Sequence, residues 1–258
     1  MRLVRAMLAA ATMIAAGSAV AALSADYRFQ NTMASTVAGA PALVDVGPTP
    51  NAFAVETVDG ANRTVLAFQM SNGVRLSPTT AVTGGAVYTI VLLARLADVS
   101  GYRKYVDYKD GSLDDGLYNY SGSLDFYDYV TGAGAPIAAG AWRQLVVTRD
   151  GSGTVTGYVD GVEQFSFADG TGAGVVGAAN ALRFFIDDSE TTGEDSAGAV
   201  ARIRVYDQAL TPAEVAALDR EPESPAAVPT LSEAALLALA LLVGLLAWPA
   251  LRGRRAIP

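Results

Sequence analysis

Between Asp26 and Asp207 the chain alternates short apolar runs with Gly, Asp, Asn and Ser. Val87–Leu96 (VYTIVLLARL) is apolar at nearly every position up to Arg95, the pattern of a central strand covered on both faces. Residues 199–207 (AVARIRVYD) alternate instead: Ala201, Ile203 and Val205 point one way and Arg202 and Arg204 the other. This predicts a strand with one buried and one wet face. Asp150-Gly151-Ser152-Gly153 and Asp160-Gly161 are turn sequences, because Gly accepts the positive φ that tight hairpins require. They separate three antiparallel strands at 142–149, 154–159 and 162–167. Similar runs predict strands at 26–30, 52–58, 64–68, 102–108, 116–120, 123–129 and 181–186. Many short strands sharing one core predict an all-β fold, a sandwich of two antiparallel sheets. One short helix is expected after the last strand: Thr211 caps it, Pro212 suits its first position and Glu214 completes a capping box.

The two ends follow other patterns. Residues 1–25 place Arg2 and Arg5 before an Ala-rich apolar run and small residues, the layout of a secretory signal cut between Ala21 and Ala25. Residues 26–220 then form the globular domain, and 221–229 a Pro-rich acidic linker. Ala234–Leu251 is uncharged over 18 residues, about 27 Å as a helix, which predicts a C-terminal transmembrane helix at 234–251. Arg252, Arg254 and Arg255 follow at once and hold that end in the cytoplasm, leaving the domain outside it.

Composition narrows the chemistry. The chain has neither cysteine nor histidine, which removes disulfides, Ser-His-Asp and Cys-His nucleophiles and ordinary zinc sites. Between the signal and the terminal arginines lie 13 basic residues against all 26 acidic ones, a net charge of −13. Such a surface repels phosphate backbones, so nucleic acid is not an expected partner.

The tail, Val228-Pro229-Thr230-Leu231-Ser232-Glu233 followed by the apolar span and the arginine cluster, resembles the IPTL-type sorting tails related to PEP-type tails handled by exosortases. Val228 stands where that motif usually has Ile. The resemblance implies an exosortase-type processing enzyme acting near Pro229–Leu231 and transfer of the domain to another surface anchor. Within the domain, Trp142–Asp150 (WRQLVVTRD), Tyr158–Gly161 (YVDG) and Arg202–Val215 recur in the order found in bacterial laminin G-like domains of the concanavalin A-like group. That resemblance implies a jelly-roll sandwich and, in relatives, binding of glycans or proteins, often near calcium.

Three groups of residues are candidates for function. Asp187, Asp188, Glu190, Glu194 and Asp195 crowd one loop, and carboxylates so close repel one another unless solvent or a cation screens them. Calcium, which takes six to eight oxygens, is the candidate cofactor for Asp187, Asp188, Glu194 and Asp195; a solvated acidic loop is the alternative. Asp107, Asp110, Asp114 and Asp115 form a second acidic turn that Asx-turn bonding explains equally well. Seven tyrosines fall within residues 102–129, and Tyr105, Tyr118 and Tyr127 are the candidate ligand-stacking residues, with cross-strand packing as the alternative. Trp142 is assigned to the core. The paired strand carboxylates of sandwich glycoside hydrolases (E-x-D-x-E or E-x-D-x-x-E) are absent. The leading reading is therefore a non-enzymatic, surface-tethered module for a glycan or protein ligand. A matrix protein without a specific ligand and a glycoside hydrolase stand behind it.

Overall fold

The computed structural model describes residues 21–220. In chain order these form β1 (Leu23–Tyr27), β2 (Val44–Val46), β3 (Ala52–Val58), β4 (Ala61–Phe68), β5 (Gly73–Leu76), β6 (Tyr88–Leu96), β7 (Tyr102–Asp107) and β8 (Gly116–Tyr120). There follow β9 (Ser123–Tyr127), β10 (Val130–Thr131), β11 (Arg143–Arg149), β12 (Thr154–Val159), β13 (Val162–Ala168), β14 (Leu182–Phe184), β15 (Gly198–Tyr206) and α1 (Pro212–Ala216). The first sheet runs β13-β12-β11-β6-β15-β4-β3, with β1 also on β15; the second runs β10-β9-β8-β7-β14-β5-β2. Neighbouring strands pair antiparallel, so the fold is the expected two-sheet sandwich of jelly-roll type. The signal through Val20, the 221–229 linker, the Val228–Leu231 motif, the apolar span 234–251 and Arg252, Arg254 and Arg255 lie outside the described residues. Among the described residues no helix is long and apolar enough to cross a membrane.

The core lies between the sheets. Ile90, Leu92, Leu145, Val147, Ile203 and Val205 of the first sheet share one cluster with Leu117, Leu124, Phe126, Leu182 and Phe184 of the second. Phe68 and Phe185 stack within it, ring centroids 4.5 Å apart. A central strand apolar on both faces needs a second cover, and α1 with the segment before it provides it: Val215 of the helix and Leu210 ahead of it pack with Val91, Val146 and Tyr158 on the far side of the first sheet. The helix begins as expected, with Thr211 and Glu214 forming a reciprocal capping box. In the Asp160-Gly161 turn both residues have positive φ, 51° and 80°, as a primed hairpin turn demands.

Two expectations about β15 and β11 are corrected. A register shift between Val200 and Arg202 breaks the alternation of β15, so Val200, Ile203 and Val205 enter the main core while Ala199 and Ala201 join Val58, Val65 and Leu93 on the opposite face. The arginine face is not wet: Arg202 and Arg204 are 6% and 4% exposed. Arg202 donates to both carboxylate oxygens of Asp26 (2.7 and 2.9 Å), and Arg204 donates to the Asp219 carbonyl at 2.6 Å. Burial alone raises the Asp26 pKa, but hydrogen bonds from Arg202 and Arg28 outweigh it and hold the carboxyl below its usual range. Trp142 is half-buried rather than in the main core, with the Arg95 guanidinium 5.8 Å above its ring. The short strands β2, β5 and β10 went unpredicted, since two to four residues carry no readable period.

β1 also moves the N-terminal boundary of the domain. Leu23 pairs with Tyr206 and Ala25 with Val205, and Ala25 is fully buried, so the folded unit begins ahead of Asp26. A chain beginning at Asp26 is expected to be less stable than one beginning at Ala21 by about 1–3 kcal/mol, the worth of a few backbone hydrogen bonds. Parallel thermal melts of the two chains check this, and equal midpoints contradict it.

Candidate functional site

Alternation along β9 sets the outer face of the second sheet. Leu124 and Phe126 enter the core, which turns Asp125 and Tyr127 outward. Across the strands, Thr131 of β10 stands opposite Asp125, Asp125 opposite Tyr118 of β8, and Tyr118 opposite Lys104 of β7. Beyond Lys104 a register shift puts Tyr105 and Val106 both into the core. The outer face therefore carries a row of hydroxyl, carboxylate, phenol and ammonium.

Lys104 is 1% exposed and lies under the acidic loop. Its Nζ bonds Asp188, stands 3.6 Å from Asp107 and 4.0 Å from Asp187, and sits 4.7 Å over the Tyr118 ring. The loop carboxylates otherwise serve the backbone. Asp187 accepts the Glu194 N–H at 2.7 Å, Asp188 the N–H groups of Glu190 and Thr191 at 2.7 and 3.1 Å, and Asp195 the Ser71 N–H at 2.7 Å. Asp187, Asp188, Glu194 and Asp195 thus do not converge on one point, and among the described residues no group of three or more carboxylates is placed to hold a metal ion. Lys104 and backbone N–H donors offset part of the repulsion that suggested calcium. Burial, with Asp114 and Asp187 nearby, pushes the Glu194 carboxyl up to about 7, and burial pushes Asp115 up to about 6.

Of the three tyrosines expected to stack on a ligand, two are withdrawn from the surface. Tyr105 is 1% exposed, edge-on to Phe185, and Tyr118 is wholly buried, its hydroxyl donating to Asp114 at 2.8 Å. Neither ring has a free face. Tyr127 does remain accessible, beside a shallow depression of about 200 Å³ whose lining includes Tyr102, Asp125, Asp128, Tyr129 and Thr131. Tyr102 meets Tyr127 edge-on at 5.2 Å and stacks on Tyr120 at 4.3 Å, while Tyr129 stacks on Phe167 of β13 at 5.0 Å. The rings are therefore held by their neighbours before any ligand arrives.

Asp125 is the unusual member. It is 3% exposed; Oδ2 accepts the Thr131 hydroxyl at 2.6 Å, but Oδ1 is buried with no hydrogen-bond donor. An unsatisfied buried acceptor costs about 1–3 kcal/mol. Burial raises the Asp125 pKa, the Thr131 bond opposing it. Asp125, Asp128 and Thr131 escaped the sequence reading, although a carboxylate at the centre of an alternating strand (SLDFY) is a signal that could have marked the first of them.

Two outcomes follow from the Lys104 cluster. Lys104→Met leaves Asp188 and Asp107 buried without their cation and is expected to cost about 3–5 kcal/mol, part of which Asp188→Asn in the same chain restores; denaturant titrations measure both. Glu194 holds its proton more tightly folded than unfolded, so its contribution to stability is full below pH 4.5 and is lost as pH rises through about 7. Glu194→Gln is expected to match the parent in thermal melts below that window and to exceed it above.

The sequence matches the concanavalin A-like lectin/glucanases superfamily over residues 68–216 and the IPTL-CTERM motif over residues 226–255. No curated protein matches. Among solved structures, domain 4 of AbnA, an extracellular GH43 arabinanase from Geobacillus stearothermophilus in complex with arabinotriose, is similar with a TM-score of 0.56 at 20% identity, covering 76% of this chain and 98% of that one. Botulinum neurotoxin type C, whose cell entry depends upon interaction with two ganglioside molecules, gives a TM-score of 0.56 at 12% identity, covering 79% of this chain and 51% of the toxin chain. The binding domain of Paraclostridial Mosquitocidal Protein 1 gives 0.55 at 13%, covering 76% of this chain and 51% of that chain. The chain thus spans about half the length of these two toxin chains, and at such identities the likeness is one of fold. The matched family segment exceeds half of the 258-residue chain and supplies strands to both sheets: the protein belongs to the concanavalin A-like lectin/glucanases superfamily.

Proposed function

We propose that the protein is an exported, surface-held module that binds glycans at the depression on the outer face of its second sheet. The observation that carries this reading is the buried Asp125 carboxylate, one oxygen of which lacks a donor, beside the rings of Tyr102, Tyr127 and Tyr129. Sugar recognition needs aromatic faces for the C–H side of a ring and fixed acceptors for its hydroxyls, and here neighbouring side chains hold both. The likeness to an arabinanase domain seen with arabinotriose supports the reading at the level of fold. Binding at this place needs no calcium in the 187–195 loop, where Lys104 supplies the positive charge.

Delivery follows from the chain ends. The IPTL-CTERM match supports export and sorting, with an exosortase-type enzyme acting at Val228-Pro229-Thr230-Leu231. The 234–251 span holds the chain in the membrane until then, and Arg252, Arg254 and Arg255 fix its direction. The assigned role is recognition rather than catalysis, and glycan or protein surfaces are the partners.

A glycan array probed with the full chain, with and without added calcium, is the first test. Binding that is independent of calcium and reduced about tenfold by Tyr127→Ala supports the reading; tenfold is about 1.4 kcal/mol, within the range of an aromatic contact. Absence of any bound glycan favours a structural surface protein, and release of reducing sugars favours a hydrolase.

A further inference from the structure

The depression has a charge as well as a shape. Asp125 and Asp128 both line it, and no Lys or Arg is among its lining residues. Asp114, Asp128, Glu194 and Asp125 all act on the Tyr127 hydroxyl, raising its pKa, with Asp114 the largest contributor. A ligand entering here meets two carboxylates, one nearly buried and short of a donor, and the faces of several tyrosines. An anionic sugar is repelled. A neutral hydroxyl can give Asp125 Oδ1 one proton but leaves both charges uncompensated. An ammonium group gives up to three donors, forms the stronger charge-assisted bond and is attracted by the ring faces.

The same sheet face already contains this arrangement with its occupant in place. Two strands over from Asp125, across Tyr118, Lys104 Nζ lies 4.7 Å over the Tyr118 ring and bonds Asp188 with Asp107 alongside. Tyrosine ring and paired carboxylates hold an ammonium there. The depression likewise brings tyrosine rings and two carboxylates together, with no lysine or arginine in its lining.

Resting on the glycan reading of this site, we infer that its ligand is an amino sugar: an oligosaccharide of hexosamine whose free, protonated amino group bonds Asp125 while its ring lies against Tyr127. At about 200 Å³ the depression is smaller than the roughly 300–1,000 Å³ that encloses a drug-sized ligand, so it takes one ring of a longer chain. Tyr120, exposed and stacked on Tyr102 at 4.3 Å, continues the aromatic surface toward a neighbouring ring. De-N-acetylated surface polysaccharide is the class of polymer with this chemistry.

Titration calorimetry of the full chain with tetramers of β-linked glucosamine, the N-acetylated tetramer and a lysine pentamer tests the inference. The glucosamine tetramer is expected to bind at least about tenfold more tightly than the N-acetylated one. Asp128→Asn, at an exposed position that leaves folding intact, is expected to remove most of that preference, and Asp125→Asn to remove it altogether without lowering the melting temperature. Tyr127→Ala weakens both sugars alike. Equal or tighter binding of the N-acetylated tetramer overturns the amino-sugar inference and leaves the glycan reading standing. Equal binding of the lysine pentamer with the same Asp128 dependence overturns it in favour of a cationic peptide. Absence of binding by either tetramer overturns the amino-sugar inference, and a glycan array that is also blank overturns the glycan reading with it.

Discussion

Lys104 brings one positive charge to a place where Asp107, Asp187 and Asp188 otherwise face one another away from water. The ammonium is bonded, surrounded and fully buried, and its stem lies on the outer face of the second sheet rather than in the core between sheets. It cannot leave without exposing those carboxylates to one another in a medium where their repulsion is poorly screened. The loop of residues 187–195 is consequently drawn down onto β7, with Glu194 accepting the Lys104 N–H at 2.7 Å from its carbonyl. Tyr118 is covered as a result, and the tyrosine platform shifts toward Tyr102, Tyr127 and Tyr129. The accessible part of the face is the part this ion cluster leaves open.

Much of the sandwich was legible because its strands follow simple rules. The all-apolar run of β6 gave a strand covered on both faces, and the Asp-Gly turns placed β11, β12 and β13 within a residue or two. The capping box located α1. What the pattern could not disclose were the register shifts, of which those in β15 and β7 matter most here. In β15 one shift sends Ala201 to the face opposite Ile203, and in β7 another takes Tyr105 inward, because a single extra residue reverses every later side chain. Burial of Arg202 and Arg204 escaped for a different reason: their partners Asp26 and Asp219 lie at the far ends of the domain, so no local spacing announces them.

The candidate site shows the same division. Clustering of tyrosines and of acids was visible, yet residue type alone does not say which members share a face. The acidic loop suggested a metal because local spacing does not show the lysine 84 residues upstream that pairs with Asp188, a long-range pairing only topology creates. Asp125 lies in the middle of a strand, its Oδ2 bonded by Thr131 and its Oδ1 without a donor. The IPTL-CTERM match over residues 226–255 points to export and sorting of the acidic domain.

Where a sugar sits on the second sheet is the deciding observation. A crystal structure of the protein grown with a glucosamine oligosaccharide measures this directly. The predicted result is electron density for a sugar ring against Tyr127 and Tyr129, with its amino group within hydrogen-bonding distance of Asp125 Oδ1. Density over the first sheet's outer face, or on the exposed edge strand β3, with the Asp125 depression holding only water, contradicts it.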